Sequence, residues 1–259
     1  MPSVRSHAAT RIVSLAPDVT SILFAIGAQK SLVGVSKWCK DVAAVGRLPR
    51  VGDCWALDVQ GVAKLRPTML IGSVPFKPDV VAELVKLPAS FVALNPRSLA
   101  NIAANIQLLG RLTNRSAAAG KLMAKMNTGF ERIARAVRNS KHRPRVYCEA
   151  WPNPRISSPP WVAELVGIAG GEMVVAAGQR ISDDDVVAAK PDVIVLAWTA
   201  TRDRANPRKM LANPRFQNIP AVRDRRIVVI RDELLNTPGP PLVEGARELL
   251  HAIHPDLSK

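Results

Sequence analysis

The chain has 259 residues, of which 47% are hydrophobic and 22% are charged, and its formal net charge at pH 7 is +15. Together with a mean hydropathy of +0.06, this composition excludes disordered and fibrous proteins and predicts one or two globular domains, of which we expect two. The charge would suit nucleic acid or an anionic membrane face, but Lys and Arg are spread along the chain, and the densest run, "RDRRIVVIRD", surrounds a strand-like segment. A solvated basic surface is therefore favoured, with an anionic partner as the alternative.

The first half of the chain alternates strand-like and helical segments. In chain order it reads as the strand "RIVSL", the helix "SILFAIG", the strand "LVGV", the helix "ALDVQGVAKL", the strand "TMLIG", a helix from Asp79 to Leu87, the strand "FVALN" and a helix from Ser98 to Leu112. This alternation predicts the α/β class, with a mostly parallel sheet flanked by helices.

A long amphipathic helix is predicted next, from Asn114 to Ser140. Apolar residues recur there at helical spacing, namely Leu122, Met126, Phe130, Ile133 and Val137. At 1.5 Å per residue this helix would extend about 39 Å, enough to cross from one lobe to another. We therefore expect an N-terminal lobe over 1–113, a connecting helix over 114–140 and a C-terminal lobe over 141–259.

The second half resumes the alternation. It reads as the strand "VYCEA", a Pro- and Ser-rich loop, a helix from Val162 to Ala169, the helix "DDDVVAAK", the strands "DVIVLAW" and "RIVVI", and a final helix from Leu242 to Ile253. The segments "VAKLRPTMLIGSV" and "VVAAKPDVIVLAW" share the order helix end, basic residue, Pro and strand. This echo favours two related halves, although any α/β protein contains such units.

Enzymatic motifs are missing from the sequence. It contains no G-x-G-x-x-G, Walker, H-E-x-x-H or G-x-S-x-G pattern. The acids of "SDDDVV" follow Ser182 at a helix start, where an N-cap and the helix dipole favour them, and His251 and His254 lie near a helix end. We therefore expect no enzyme, no catalytic residues, no metal site and no catalytic cofactor.

Tryptophans follow several of the predicted strands. Trp38, Trp55, Trp151 and Trp198 lie in or next to segments that come after strands. In open parallel sheets the loops at the carboxyl ends of strands line the ligand crevice, and large rigid aromatics suit a flat, bulky ligand. Any one of these rings could instead pack in a core or a lid, but the set favours a binding cleft.

Five segments together resemble one known family. They are "RIVSLAPDVTSILFAIGAQKSLVGVS", "KLRPTMLIG", "CEAWPNP…PPWVAELVGIAGGE", "AAKPDVIVLAW" and "NTPGPPLVEGARELLHAIHPD". The chain, from about Arg11 to Asp256, is similar to the cobalamin-binding proteins of the vitamin B12 and iron-siderophore group of ABC-transporter substrate-binding proteins. The opening segment is typical of the whole group, whereas the Trp-x-x-Pro region and the "N-x-PGP" segment are typical of the corrinoid-binding branch.

The resemblance implies a fold like that of class III substrate-binding proteins, in which two α/β lobes with mostly parallel sheets are joined by one long helix and the ligand is held between them. It implies that Trp and Pro pack on the corrin faces while Asn and Asp bond the peripheral amides. The ligand-binding positions that it implies are Pro17, Trp38, Trp55, Phe76, Trp151, Asn153, Pro154, Trp161, Trp198, Asp232 and Asn236.

The chain departs from the family pattern at several places. Lys37 and Trp38 replace a His-Glu pair, so a histidine that could touch cobalt is absent, and Pro160 precedes Trp161 where relatives carry histidine. The two acids that dock on transporter arginines align with Gln60 and Asp184. Because the neutral Gln60 supplies no charge-assisted hydrogen bond, a standard salt-bridged docking is weakened.

We therefore expect a monomeric, non-enzymatic binding protein for cobalamin or another corrinoid, associated with an ABC permease and not with nucleic acid. The alternatives are a haem or ferric-siderophore binder in the same scaffold, and a cytosolic corrinoid-handling or regulatory module. No apolar run approaches the ~20 residues of a membrane span, and "MPSVRSHAAT" lacks the apolar part of a secretory signal. The sequence as written thus predicts a cytoplasmic protein, whereas the resemblance implies a periplasmic one if the start is trimmed or misplaced.

Overall fold

The computed structural model of the chain describes residues 10–257, apart from the side chain of residue 209. The expectation about a secretory signal concerns residues 1–9, which lie outside this range. Within it, no helix is both long enough and apolar enough to cross a membrane. The chain divides into two compact units, one formed by 10–96 and 104–121 and the other by 97–103 and 122–257.

The first unit is built on a parallel sheet of four strands, in the order β2-β1-β3-β4. The strands are β1 (Ile12–Ser14), β2 (Leu32–Val35), β3 (Met69–Ser73) and β4 (Ser90–Leu94). Helices α1 (Pro17–Ala25), α2 (Val59–Lys64) and α3 (Pro78–Leu84) alternate with them. Helix α4 (Leu99–Leu112) follows β4, and its residues from 104 onward belong to this unit. The apolar side chains of β1 are fully buried, as expected of a strand covered on both faces. Strand β2 lies on one side of β1, and β3, the next strand in the chain, lies on the other, so the strand order reverses at β1. Open α/β sheets bind ligands at such a point.

The predicted long helix is present but shorter than expected. Helix α5 spans Ser116–Ala136, 21 residues or about 32 Å, instead of 114–140. Asn114 adopts a left-handed backbone with φ of 55°, which ends the preceding helical path and turns the chain into α5. Met126 and Ile133 are buried as the apolar period predicts.

The second unit contains a mixed sheet in the order β6-β5-β8-β9, with β7 paired to the start of β5. The strands are β5 (Arg145–Pro152), β6 (Arg155–Ser157), β7 (Glu172–Met173), β8 (Val193–Leu196) and β9 (Ile227–Val229). The helices are α6 (Pro160–Ile168), α7 (Asp183–Ala189), α8 (Arg208–Leu211), α9 (Pro220–Arg223), α10 (Asp232–Asn236) and α11 (Leu242–Ile253). All pairs are parallel except β5 with β6.

The predicted α/β class with mostly parallel sheets is confirmed. The sequence echo also has a structural counterpart, because Arg66 and Lys190 both adopt left-handed backbones, with φ of 45° and 42°, directly before a Pro and a buried strand. The N-cap prediction for "SDDDVV" is confirmed too. Ser182 Oγ accepts a hydrogen bond from Asp185 N (3.1 Å), and Asp185 Oδ2 accepts one from Ser182 N (2.7 Å), which is a capping box.

Candidate ligand-binding surfaces

In the first unit, four predicted site residues lie on loops that follow the strands. Pro17 begins α1 three residues after the end of β1, Trp38 follows β2, and Phe76 follows β3. The loop that carries Trp55 is hydrogen-bonded to the segments that follow β2 and β3. Lys37 N donates to Gly52 O (2.9 Å), and Lys77 N donates to Cys54 O (3.0 Å). The structure thus brings the four residues to the carboxyl edge of one parallel sheet, where ligand crevices form.

Asp53 fixes the ring of Trp38 and the backbone at Trp55. Its Oδ2 accepts a hydrogen bond from Trp38 Nε1 (2.9 Å) and pairs with Lys37 Nζ (2.9 Å), while Oδ1 accepts from the backbone N of Trp55 (3.0 Å) and Ala56 (2.9 Å). Partial burial opposes the ionised form, but these donors outweigh it and lower the pKa of Asp53 to about 2. Asp53 is therefore an ionised anchor for the aromatic loop.

The four side chains of this surface differ in their exposure to solvent, and therefore to a ligand. The Trp55 side chain is 61% exposed, whereas Pro17, Trp38 and Phe76 are half-buried. Phe76 packs edge-on against Phe91, with ring centroids 5.4 Å apart, on the core of the unit. Trp55 is thus the ring most available for stacking.

A buried acid lies beneath the same edge. Asp18, in the first turn of α1, is only 2% exposed, and its Oδ2 accepts a hydrogen bond of 2.5 Å from Ser73 Oγ. Burial raises the pKa of Asp18 to about 6, although the Ser73 hydrogen bond acts in the opposite direction. Above pH 6 the unit therefore contains a buried charge that costs stability.

We expect Asp18→Asn to stabilise the protein by about 1–2 kcal/mol at pH 8 and to have little effect at pH 4. The folded-state pKa of Asp18 lies above its unfolded value of 3.8, so the wild type loses stability as pH rises from about 4 to about 6, and the neutral amide avoids that loss. Urea denaturation at the two pH values measures the difference. Equal effects of the substitution at pH 4 and pH 8 would contradict this role, and Asp58→Asn, at an exposed cap of α2, controls for removing a carboxylate.

In the second unit, the stretch predicted as a loop after "VYCEA" forms a β-hairpin. Strand β5 continues to Pro152, β6 returns antiparallel to it, and the turn contains Asn153 and Pro154, both exposed and joined by a cis peptide bond. Trp151 is 40% exposed, and its Nε1 donates to Asn153 O (2.9 Å). The hairpin therefore presents an indole ring that its own backbone holds in place.

A buried charge network supports this hairpin from below. Glu149, fully buried on β5, accepts hydrogen bonds from Tyr147 Oη (2.6 Å), Trp198 Nε1 (2.8 Å) and Arg155 on β6. The Arg155 guanidinium also donates to Asp183 Oδ1 from Nε (3.1 Å) and Nη2 (2.9 Å). Burial raises the pKa of Glu149, and the positive charge of Arg155 limits that rise. The network ties the two strands of the hairpin to α7.

The remaining predicted site residues of this unit are engaged in internal contacts. Trp161 and Trp198 are 8% and 6% exposed, and their ring N–H groups donate to Leu235 O (2.8 Å) and to Glu149. Asp232 is buried and accepts from the backbone N of 200 (2.9 Å) and 202 (2.6 Å). Half-buried Asn236 donates to Ala197 O (2.8 Å). Both rings pack inside this unit, and the part of Trp161 and Trp198 in ligand binding stays a prediction.

The two predicted docking residues lie on different units. Gln60 is exposed on α2 of the first unit. Asp184, on α7 of the second unit, has a side chain that is 79% exposed and forms an ion pair with Arg215. The one charged docking residue thus already has a cationic partner within its own chain.

Comparison with known proteins shows which family this chain belongs to. The model of the family described as "Periplasmic binding protein" matches residues 12–234. The chain belongs to the periplasmic binding protein family. It is 24% identical over 96% of its length to the uncharacterised ABC transporter substrate-binding lipoprotein YvrC of Bacillus subtilis, covering 81% of that protein. It is also 24% identical over 94% of its length to a cobalamin-binding protein of Halobacterium salinarum, covering 69% of that protein.

A solved structure of this periplasmic binding protein family has the same fold. The periplasmic haem-binding protein of Pseudomonas aeruginosa superposes with a TM-score of 0.83 at 25% identity, over 95% of this chain and 93% of that one. The predicted family and the class III periplasmic binding protein fold are therefore confirmed. Proteins of this family are substrate-binding proteins.

The sequence interpretation missed four charged residues that lie beneath or beside the predicted site residues of this periplasmic binding protein. These are Asp18, Asp53, Glu149 and Arg155. The signal for Glu149 was available, because a single acid inside the apolar strand "VYCEA" requires a buried partner. Asp53 also contacts Trp38 and Lys37 on the loop after β2, and Arg155 contacts Asp183 on α7, so these partners depend on how the elements are arranged in the fold. Among residues 10–257 no group of three or more His, Cys, Asp or Glu is arranged to hold a metal ion.

Proposed function

We propose that this chain binds a corrinoid, cobalamin in the simplest case, through the exposed indole faces of Trp55 and Trp151, and that it passes this ligand to an ABC-type permease. The observation that carries the proposal is the exposure of these two rings, 61% and 40%, in a chain with only five Trp. A corrin offers broad apolar faces, on which an indole buries a large area.

The Trp151 ring, and the backbone segment that carries the Trp55 ring, are held in place before a ligand arrives. Asp53 bonds the backbone of Trp55, and the hairpin carbonyl of Asn153 bonds the Trp151 ring. Pre-ordered side chains lose little conformational entropy on binding, so more of the contact energy contributes to affinity. The likeness to a cobalamin-binding protein of Halobacterium salinarum supports a corrinoid as the ligand.

Haem is the second candidate, favoured by the likeness to the Pseudomonas aeruginosa haem-binding protein. Haem iron is usually held by an axial side chain such as His or Tyr, whereas a corrinoid can bring its own axial ligand. Tyr147 is fully buried and donates to Glu149. His142 precedes the amino end of β5, and His251 and His254 lie on and just after α11. These placements favour a corrinoid over haem as the ligand.

Transfer to a permease is supported by the relative YvrC, which is named an ABC transporter substrate-binding lipoprotein. We propose Gln60 and Asp184 as docking residues. The ion pair of Asp184 with Arg215 competes with a permease arginine for the same carboxylate. This competition favours a weaker docking than two free acids would give.

Competitive loading tests the ligand. The purified protein is offered equal concentrations of cyanocobalamin, haemin and a ferric catecholate, desalted, and examined by visible absorbance. We expect the corrinoid spectrum to remain with the protein at one equivalent. Retention of haemin with loss of cyanocobalamin would favour the second candidate, and retention of none would refute both. The variant Trp55→Ala/Trp151→Ala, run in parallel, separates specific loading from adsorption.

A further inference from the structure

The positive charge of this protein is concentrated in one segment. Residues 111–145 contain ten Lys and Arg against the single acid Glu131, which gives +9 of the total of +15. All ten basic residues are exposed. The expectation that the charge is spread evenly along the chain is therefore wrong, because the rest of the sequence balances most of its basic residues with acids.

Part of this charge forms a continuous ridge on α5. At 100° per residue, four basic residues fall within an arc of about 80° and span about 21 Å of the helix. We call this set the basic ridge, and it consists of Lys121, Lys125, Arg132 and Arg135. The opposite side of the helix carries buried Met126 and Ile133, so packing fixes the direction in which the ridge points.

The basic ridge is not neutralised by the protein. Among residues 10–257, none of its four side chains forms an ion pair within 4.0 Å. In the run "RDRRIVVIRD", by contrast, two basic residues form ion pairs, Arg223 with Asp224 and Arg231 with Glu233. Like charges held at one helix face repel each other, so the ridge costs stability in the absence of an anionic partner.

We propose that the basic ridge is a peripheral binding surface for a membrane rich in anionic lipid headgroups. Basic residues held near such a surface are attracted to it without inserting, and a straight row of them matches a flat array of phosphates. The apolar face of α5 is packed within the protein, so contact is electrostatic rather than by insertion. The choice of a membrane rests on the proposed function, because a protein that serves a permease works at a membrane surface.

Nucleic acid is the other polyanion that such charge attracts. Proteins that bind single strands add aromatic rings for stacking, and those that read duplexes add side chains to base edges. The aromatic ring within α5, Phe130, is half-buried, and the residues between the ridge positions on the exposed face are mostly small, such as Ala124 and Thr128. The side chains of the ridge thus favour phosphate contact without base recognition.

Vesicle sedimentation tests the proposal with the full chain and without corrinoid. The fourfold variant Lys121→Gln/Lys125→Gln/Arg132→Gln/Arg135→Gln is compared with the control Lys30→Gln/Arg47→Gln/Lys64→Gln/Arg208→Gln, which removes the same charge at exposed positions elsewhere. On vesicles of phosphatidylglycerol and phosphatidylcholine at low salt, we expect the ridge variant to partition about 10- to 100-fold more weakly than the wild type and the control to stay within about threefold. Pure phosphatidylcholine vesicles should bind none of the three.

Several outcomes would overturn the proposal. One is that the wild type does not bind the anionic vesicles, and another is that the two variants lose binding equally. A third is that the ridge mediates binding to duplex DNA but not to vesicles, which would assign the ridge to nucleic acid. Corrinoid binding is measured separately, without vesicles, on all three proteins. A failure of the lipid proposal therefore leaves corrinoid loading intact, and a failure of corrinoid loading leaves the vesicle result interpretable.

Discussion

Replacing Arg155 by Met should destabilise the protein by about 3–5 kcal/mol at pH 8, because the fully buried carboxylate of Glu149 then loses its cation. Tyr147 and Trp198 still donate to Glu149, but two neutral donors do not replace a guanidinium. The measurement is urea denaturation followed by circular dichroism.

The pH dependence of Arg155→Met identifies the cause of the loss. In the folded state burial raises the pKa of Glu149 above its usual value and the positive charge of Arg155 limits that rise, so removing Arg155 raises the pKa further. Stability contributed by such a group is present below the unfolded pKa and is lost as pH rises through the folded one. The variant should therefore recover part of its stability at pH 5 relative to pH 8. A loss independent of pH would instead indicate a packing effect.

Two further variants sharpen this test. Glu149→Gln/Arg155→Met removes both charges and keeps an acceptor for Tyr147 and Trp198, so it should be more stable than Arg155→Met alone. Asp183→Asn removes the other, partly exposed partner of Arg155 and should cost less than about 1 kcal/mol. If Asp183→Asn were as damaging as Arg155→Met, the buried pair would not be the dominant interaction.

Substitution of the two exposed tryptophans should produce the largest effect on ligand binding. We expect Trp55→Ala and Trp151→Ala each to weaken corrinoid binding by about 1–3 kcal/mol, on the scale of losing an aromatic anchor, and the double variant to lose roughly the sum. The fold should remain intact, since both rings are largely outside the core. Equilibrium dialysis with absorbance detection measures the dissociation constants without relying on Trp fluorescence.

Matched variants distinguish the loss of ring stacking from a general loss of exposed apolar surface. Trp→Phe at either position retains a flat ring and should recover most of the affinity. Val85→Ala removes another exposed apolar side chain, 64% exposed at the end of α3, and should leave binding unchanged. Unchanged affinity in both Trp→Ala variants would refute the assignment of these rings. So would an equal loss in Val85→Ala.

The parts of the fold that the sequence predicted are those set by local patterns. The β/α alternation and the helix α5 follow from apolar periods that each segment carries itself. The ends of α5 were misplaced because they depend on single backbone conformations, such as the left-handed Asn114. Strand β6 was missed because three residues between two Pro-containing stretches give no periodic signal.

The candidate site was less predictable, because the direction of a side chain depends on distant partners. Trp55 and Trp198 both come after strands in the sequence, yet one ring is exposed and the other is buried. The difference comes from Glu149, which is 49 residues away from Trp198 and accepts its ring N–H inside the unit. Sequence position identifies such rings as candidates, and only the contacts decide which of them a ligand can reach.

The strong acidity of Asp53 protects its hydrogen bonds against mild acid. Because the pKa of this carboxyl group is about 2, a fermenting medium would leave the bonds from Asp53 to the Trp38 ring and to the backbone of Trp55 intact. Any response of this sheet edge to such a medium would have to start at another group, and Asp18 beneath it, with a pKa of about 6, is a candidate.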